Sequence, residues 1–152
     1  MNWTQLIASF FGSVGFALLF HLKGKSVLWT SLGGFFSWFV YLGVGIVHPS
    51  YGLQILCAGV FLGMYTEIMA IFTKMPRTAY IAVGIIPLIP GAALYRMMYH
   101  FFMKSYRQTL DYGVEALVTS VAIGAGLLLA MVVWKLIRPL LGQALRGGSN
   151  NV

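Results

Sequence analysis

The sequence predicts an all-α, polytopic membrane protein with five transmembrane helices, the fourth broken at Pro-Leu-Ile-Pro-Gly. Three observations carry this. First, 59% of the 152 residues are hydrophobic and only 9% charged, with a mean hydropathy of +0.84; a soluble domain carries about 25% charged residues. Second, apolar runs of about 20 residues, the length that crosses a hydrocarbon core, recur along the chain. Third, the Lys and Arg residues sit singly or in pairs at the ends of those runs. A net charge of +7 would otherwise suggest nucleic acid as a partner, but no basic stripe with interleaved aromatics is present. Basic flanks of this kind mark cytoplasmic loops.

The runs extend from Trp3 to Leu22, Val27 to Val47, Leu53 to Phe72, Thr78 to Met103, and Tyr112 to Ile137. The first lacks a basic n-region and a small-residue cleavage site, so it is expected to be retained as a span rather than removed as a signal peptide. Residues 1–140 form a single five-span domain on this reading, and residues 141–152 a polar tail. Its end, "RGGSNNV", has the composition of a disordered segment. The connections are too short for a catalytic domain outside the membrane.

Orientation follows from the basic residues. Lys23 and Lys25, then Lys74 and Arg77, then Lys135, Arg138 and Arg146 fall on one side, whereas the N-terminus and "VHPSYG" carry no Lys or Arg. Lys104 and Arg107 lie on the opposite side and weaken the contrast. The balance places the N-terminus outside and the C-terminus in the cytoplasm. Cys57, the single cysteine, excludes an internal disulfide and a cysteine-built metal site. Gly59 with Gly63, and Ser120 with Gly124, form small-xxx-small pairs that let helix backbones approach.

The fourth run holds the feature that most needs a physical account. Counting from Thr78 at 1.5 Å per residue, Pro87 lies about 13 Å and Gly91 about 20 Å along a helix, which brackets the middle of a core about 30 Å thick. Pro87 and Pro90 remove two donors and free the carbonyls of Val83 and Ile86. Each also disfavours helical angles at the residue before it, Ile86 or Ile89. A second half-helix is expected to restart at Pro90–Gly91. Its first N–H groups, near Gly91, Ala92 and Ala93, carry the positive end of a helix dipole. Unpaired backbone groups persist in a membrane only where they are buried in protein or line a wet cavity, and discontinuous helices are how many secondary transporters bind their cargo. The alternative is a packing kink whose freed carbonyls are satisfied by neighbouring Ser or Thr.

Few other groups in the runs carry chemistry. Glu67 lies seven residues before Lys74, about 10 Å below the membrane boundary. An intramembrane acid is a functional candidate by default, here for proton coupling; the alternative is an ion pair with Lys74 or Arg77. Arg96, with Tyr95 beside it, follows the break and either snorkels to the outer surface or attracts carboxylates to a site. Asp111 and Glu115 share a helix face near a helix start, where acids are favoured without any function. His21, His48 and His100 fall at span ends, with no metal-ligand spacing. No Ser/His pair, paired intramembrane acids or metal motif supports an enzyme, and no cofactor is expected.

Two stretches resemble the threonine/serine exporter (ThrE) family. In "YTEIMAIFTKMPRTAYIAVGIIPLIPGAALYRMM", an acid-containing span, a Lys-x-Pro connection and a Pro-Leu-x-Pro-Gly break follow in that family's order. "VGFALLFHLKGKSVLWTSLGGFFSWFVYLG" is similar to its first two spans. The resemblance covers nearly the whole chain and fits the small, C-terminal-type half in the arrangement where two halves are separate proteins. It implies a second membrane subunit as partner and location in a bacterial cytoplasmic (inner) membrane. It also implies export of small carboxylate metabolites, threonine and serine or a dicarboxylate such as succinate, driven by the proton gradient. The site candidates are then Pro87, Pro90, Gly91 and Ala92 at the break, Glu67 as the coupling acid, and Tyr95 and Arg96 as secondary contacts. The competing reading is a non-transporting scaffold or assembly subunit. Association with further copies of the chain is left open.

Overall fold

A computed structural model describes residues 3–147, and every element in it is helical. In chain order these are α1 (Trp3–Leu19), α2 (Lys25–Val47), α3 (Tyr51–Thr73), α4 (Arg77–Gly84), α5 (Gly91–Phe102) and α6 (Tyr106–Gly147), with a 3-10 turn at Ile86–Leu88 between α4 and α5. The tail boundary expected at residue 140 falls inside α6, and residues 148–152 lie outside the described residues.

By length and composition α2, α3 and the Tyr106–Pro139 part of α6 can each cross a membrane. Arg77–Leu88 with Gly91–Phe102, bent by 52° at the break, makes a fourth if the pair is one span. The expected count of five is therefore not reached by this criterion. The shortfall is the first run: α1 has 17 residues, about 25 Å of helix. The sequence carried that run on to Leu22, but the backbone turns before it. His21 takes the left-handed conformation at φ 57, its N–H donates to the Leu18 carbonyl, and the Leu22 N–H reaches back to the Ala17 carbonyl at 3.1 Å. This pair of bonds is a Schellman ending, made by His rather than Gly. α5 stops in the same manner. Lys104 sits at φ 56, Lys104 N–H donates to Phe101, and Ser105 N–H donates to His100 at 2.9 Å.

The core forms where α3 lies along α6. Ile55, Ala58 and Leu62 of α3 meet Ala122 and Ile123 of α6, and Leu88 from the 3-10 turn joins them. The two backbones nearly touch. A methyl group added at Gly126 would stand 2.7 Å from the Leu56 carbonyl oxygen and 2.9 Å from the Val60 nitrogen, and one at Gly59 would stand 3.2 Å from the Ile123 oxygen. Gly63 faces Ala130. The Gly59/Gly63 pair thus packs as expected, whereas the partner stripe on α6 is Gly126 and Ala130. Gly124 has no atom within 4 Å of where a Cβ would be and is exposed, so the Ser120/Gly124 pair points away from this contact.

α2 packs against α3, and α1 pairs with α2. Gly33 of α2 takes the edge of the Tyr65 ring, and the Tyr65 hydroxyl donates to the Trp29 carbonyl at 2.7 Å. α4 inserts between α2 and α3, the 3-10 turn sits against α1 and α2, and α5 departs to pack along α6. The bend follows from this division: the two halves of the broken helix have different neighbours.

Replacing Gly126 with Val should destabilise the protein by about 1–3 kcal/mol through overpacking, while Gly124→Val should leave it unchanged. Thermal unfolding in detergent checks this; equal melting temperatures for the two variants would contradict the packing described.

Candidate functional site

The break departs from helical geometry less than the two prolines alone suggest. Ile85 remains helical at φ −74, ψ −22, and Ile86 and Pro87 continue as a 3-10 turn. A proline early in a new turn has no N–H that the turn needs, which is why Pro87 is tolerated there. The chain leaves helical angles only at Ile89, φ −59 and ψ 132, the extended conformation favoured before proline. Pro90 then caps α5. The expected displacement at Ile86 is thus absent, and the one at Ile89 is present.

The backbone partners also differ from expectation. The Ile86 carbonyl accepts from Ile89 N–H at 3.3 Å, and Gly91 N–H donates to the Ile89 carbonyl at 2.7 Å. Gly91 therefore has no free donor; those of Ala92 and Ala93, at the start of α5, have no acceptor among the described residues. At the end of α4 the Gly84 carbonyl is approached by the Ser37 hydroxyl at 3.4 Å, which also donates to Gly34 O at 2.9 Å. A neighbouring serine thus partly satisfies the break, as the packing-kink alternative supposes.

Polar groups gather around Pro87 all the same. Ser9, Ser13 and Ser37 are buried on α1 and α2. The Ser13 hydroxyl presses on Gly34, whose added Cβ would also lie 3.4 Å from the Pro87 ring. Ser13 Oγ and the Trp38 indole N–H are buried without a partner among the described residues; leaving such groups unpaired costs about 1–3 kcal/mol each. Pro87 lines a cavity of about 240 Å³ with Gln5, Ser9 and Trp38. Gln5 and Trp38 also line a second cavity of about 400 Å³, with Tyr41 and Gln54. The two form a recess that is polar at the Gln5 and Gln54 end and mostly apolar where it reaches Pro87.

Glu67 lies elsewhere. Its side chain is 7% exposed, and Arg77, the first residue of α4, donates from Nη1 to Glu67 Oε1 at 2.5 Å. Tyr80, one turn on, is buried and its hydroxyl lies 2.8 Å from Thr73 Oγ1, so α3 and α4 are tied beside the ion pair. Lys74, the other partner considered for Glu67, takes a left-handed cap at φ 56 and is exposed. The pair lines a cavity of about 800 Å³ together with Trp134, Lys135 and Arg138 of α6. Three cations here face one carboxylate.

Tyr95 and Arg96 belong to neither place. Tyr95 is 72% exposed. Arg96 stands over the Tyr112 ring at 5.6 Å, a cation–π contact, and His100 stacks on the same ring. Gly91 and Ala92 are exposed as well, facing outward from the chain. The predicted site residues are thus distributed over three locations: Pro87 and Pro90 at the bundle centre, Glu67 in the basic cavity, and Arg96 on the α5–α6 surface. Sequence reasoning took Lys135 and Arg138 as orientation markers and missed them as lining. Their spacing of three residues, one helix face, was the available signal. Trp38, Gln5 and Gln54 carry no pattern in the sequence that marks them as lining. Among the described residues no three of His, Cys, Asp and Glu come together to hold a metal ion.

Residues 5–133 match the family model for the threonine/serine exporter, ThrE, in agreement with the resemblance drawn from the "PLIPG" element. No curated protein and no solved structure matches the chain.

Arg77→Ala strands the buried Glu67 carboxylate and should cost about 1–3 kcal/mol, with most of that recovered in the Glu67→Gln/Arg77→Ala double variant. Denaturation of the four proteins as a double-mutant cycle measures the coupling; strictly additive losses would mean that the pair contributes nothing.

Proposed function

Since the chain belongs to the threonine/serine exporter family, we propose that it is a membrane subunit of a secondary exporter of small carboxylate metabolites, threonine and serine or a dicarboxylate such as succinate. It works with a second membrane subunit of the same family in a bacterial cytoplasmic membrane, N-terminus outside and C-terminus inside. The observation that carries the reading is the interrupted helix placed between two cavities. The recess of Gln5, Trp38 and Pro87 opens toward the outer face in that orientation, and the cavity of Glu67, Arg77, Lys135 and Arg138 toward the cytoplasm. A path across the membrane would join them at the 3-10 turn, where the main chain is least committed to its own hydrogen bonds.

Two features support the need for a second subunit. The start of α5 presents Gly91 and Ala92 outward from this chain, with open space beside Gly91, so its amide end is available to a neighbour. Four spans at most meet the length criterion, with α1 as a short fifth helix, which is few for an alternating-access transporter built of two repeats. Proton coupling is assigned to Glu67, the one acid buried in the bundle.

The test is metabolite export from cells lacking the chain, with and without a second-subunit reading frame. Restoring both should restore export of threonine or succinate; Gly91→Leu should lower it about tenfold, equivalent to about 1.4 kcal/mol of lost positioning. Glu67→Gln should remove its dependence on external pH. Full export by the second subunit alone, indifferent to Pro87 and Gly91 substitutions, would establish the scaffold reading instead.

A further inference from the structure

We propose that the basic cavity is a carboxylate-binding site in which the chain's own Glu67 holds Arg77 until an incoming cargo carboxylate replaces it there. This rests on the exporter reading for the identity of the cargo, but the site itself is argued from charge and geometry.

The chain has only three Asp and Glu residues in all, and the cavity brings Glu67 together with Arg77, Lys135 and Arg138. Among the described residues these are the charged groups that line it: Glu67 from α3, Arg77 from α4, Lys135 and Arg138 from α6. Among the described residues the two α6 cations have no carboxylate partner, since the one ion pair is Arg77–Glu67. The cavity thus keeps a surplus of positive charge beside an apolar wall that includes Met131 and Trp134. That combination suits a small anion with a short carbon skeleton. The guanidinium is the group best shaped for a carboxylate, because its planar fork donates two parallel bonds. Its side chain is 52% exposed while that of Glu67 is 7% exposed. Glu67 therefore holds the fork at Nη1 from the protein side, and an arriving carboxylate that takes both parallel bonds has to displace it.

Such an arrangement is self-competition. A carboxylate fixed to the protein occupies the cation until another of the same chemistry arrives, and the fraction of protein with Arg77 released sets the apparent affinity. Lys135 and Arg138 raise the local concentration of the arriving anion and hold it while the exchange takes place. Two sources could supply the oxyanion, a small soluble carboxylate or the phosphate of an anionic lipid headgroup. The surplus charge attracts both; the proposal is for the former.

The experiment measures succinate binding to the full-length chain in nanodiscs of phosphatidylcholine alone and of phosphatidylcholine with phosphatidylglycerol, with succinamide as the uncharged control. Glu67→Gln should bind succinate about tenfold more tightly than the unmodified chain, because the internal competitor is gone. Lys135→Gln and Arg138→Gln should each bind about tenfold more weakly. Succinamide should not compete. Arg77→Gln risks misfolding by stranding Glu67, so the Glu67→Gln/Arg77→Gln variant, which leaves no buried charge unpaired, replaces it and should lose the gain seen in Glu67→Gln. The proposal is overturned if Glu67→Gln binds no better, if the α6 variants bind as well as the unmodified chain, if no succinate binds in either lipid, or if phosphatidylglycerol abolishes binding. Binding is read apart from export. Absent export with this binding pattern would count against the transport reading alone, and intact export without the pattern against the site alone.

Discussion

An amide or carbonyl facing hydrocarbon without a partner costs several kcal/mol, and the arrangement of this bundle follows from that cost. Four of its six helices have both ends at the ordinary margins of a span, where water can take over. The exception is the gap between Gly84 and Gly91. Part of its main chain is bonded: Ile85, Ile86 and Ile89 exchange bonds within the turn, and Ser37 reaches across from α2 to Gly84. The serines of α1 and α2 are small enough to let the turn approach and polar enough to meet it. Three of the buried hydroxyls, Ser9, Ser13 and Ser37, thus lie beside the interruption of the fourth run.

The same economy governs the charges. A buried carboxylate needs a compensating cation, and Glu67 has one in Arg77 from the next helix. That cation arrives by a specific route. Lys74 ends α3 in a left-handed cap, Pro76 starts α4 from extended geometry at ψ 137, and Arg77 is the first helical residue. The short connection therefore does two jobs: it reverses the chain and it delivers a guanidinium to the acid ten residues back. Across the cavity α6 adds two more cations without adding an acid.

Much of the architecture was legible in the sequence because it depends on local rules. Apolar length marked α2, α3 and α6, and the two prolines placed the break and the restart at Gly91. The loss of three residues from the first helix was not legible, because a left-handed His21 has no composition signature of the kind glycine supplies. Nor was the choice of Gly126 over Gly124 on α6: both are glycines, and only the rotation of α6 against α3 decides which is used. The candidate sites divide in the same manner. Glu67 was visible as an acid in an apolar run, and its partner was one of two foreseen. Lys135 and Arg138 were visible only as boundary charges, since no property of α6 alone tells that α3 and α4 will bring a carboxylate opposite them. Tyr95 and Arg96 looked close to the break along the chain, but one and a half turns of helix carry Arg96 onto the Tyr112 ring and leave Tyr95 exposed.

The near-contact of main chains at Gly126 has a mechanical corollary. Helices separated by flexible side chains slide by changing rotamers, but two that meet backbone to backbone have no such bearing between them. α3 and α6 must therefore translate and tilt together, as a spine. α4 and α5 are lashed to this spine at either end of the broken segment, and the hinge between them lies against α1 and α2. The 3-10 turn between α4 and α5 is itself held to the spine by Leu88, which packs with Ile55, Leu62 and Ile123.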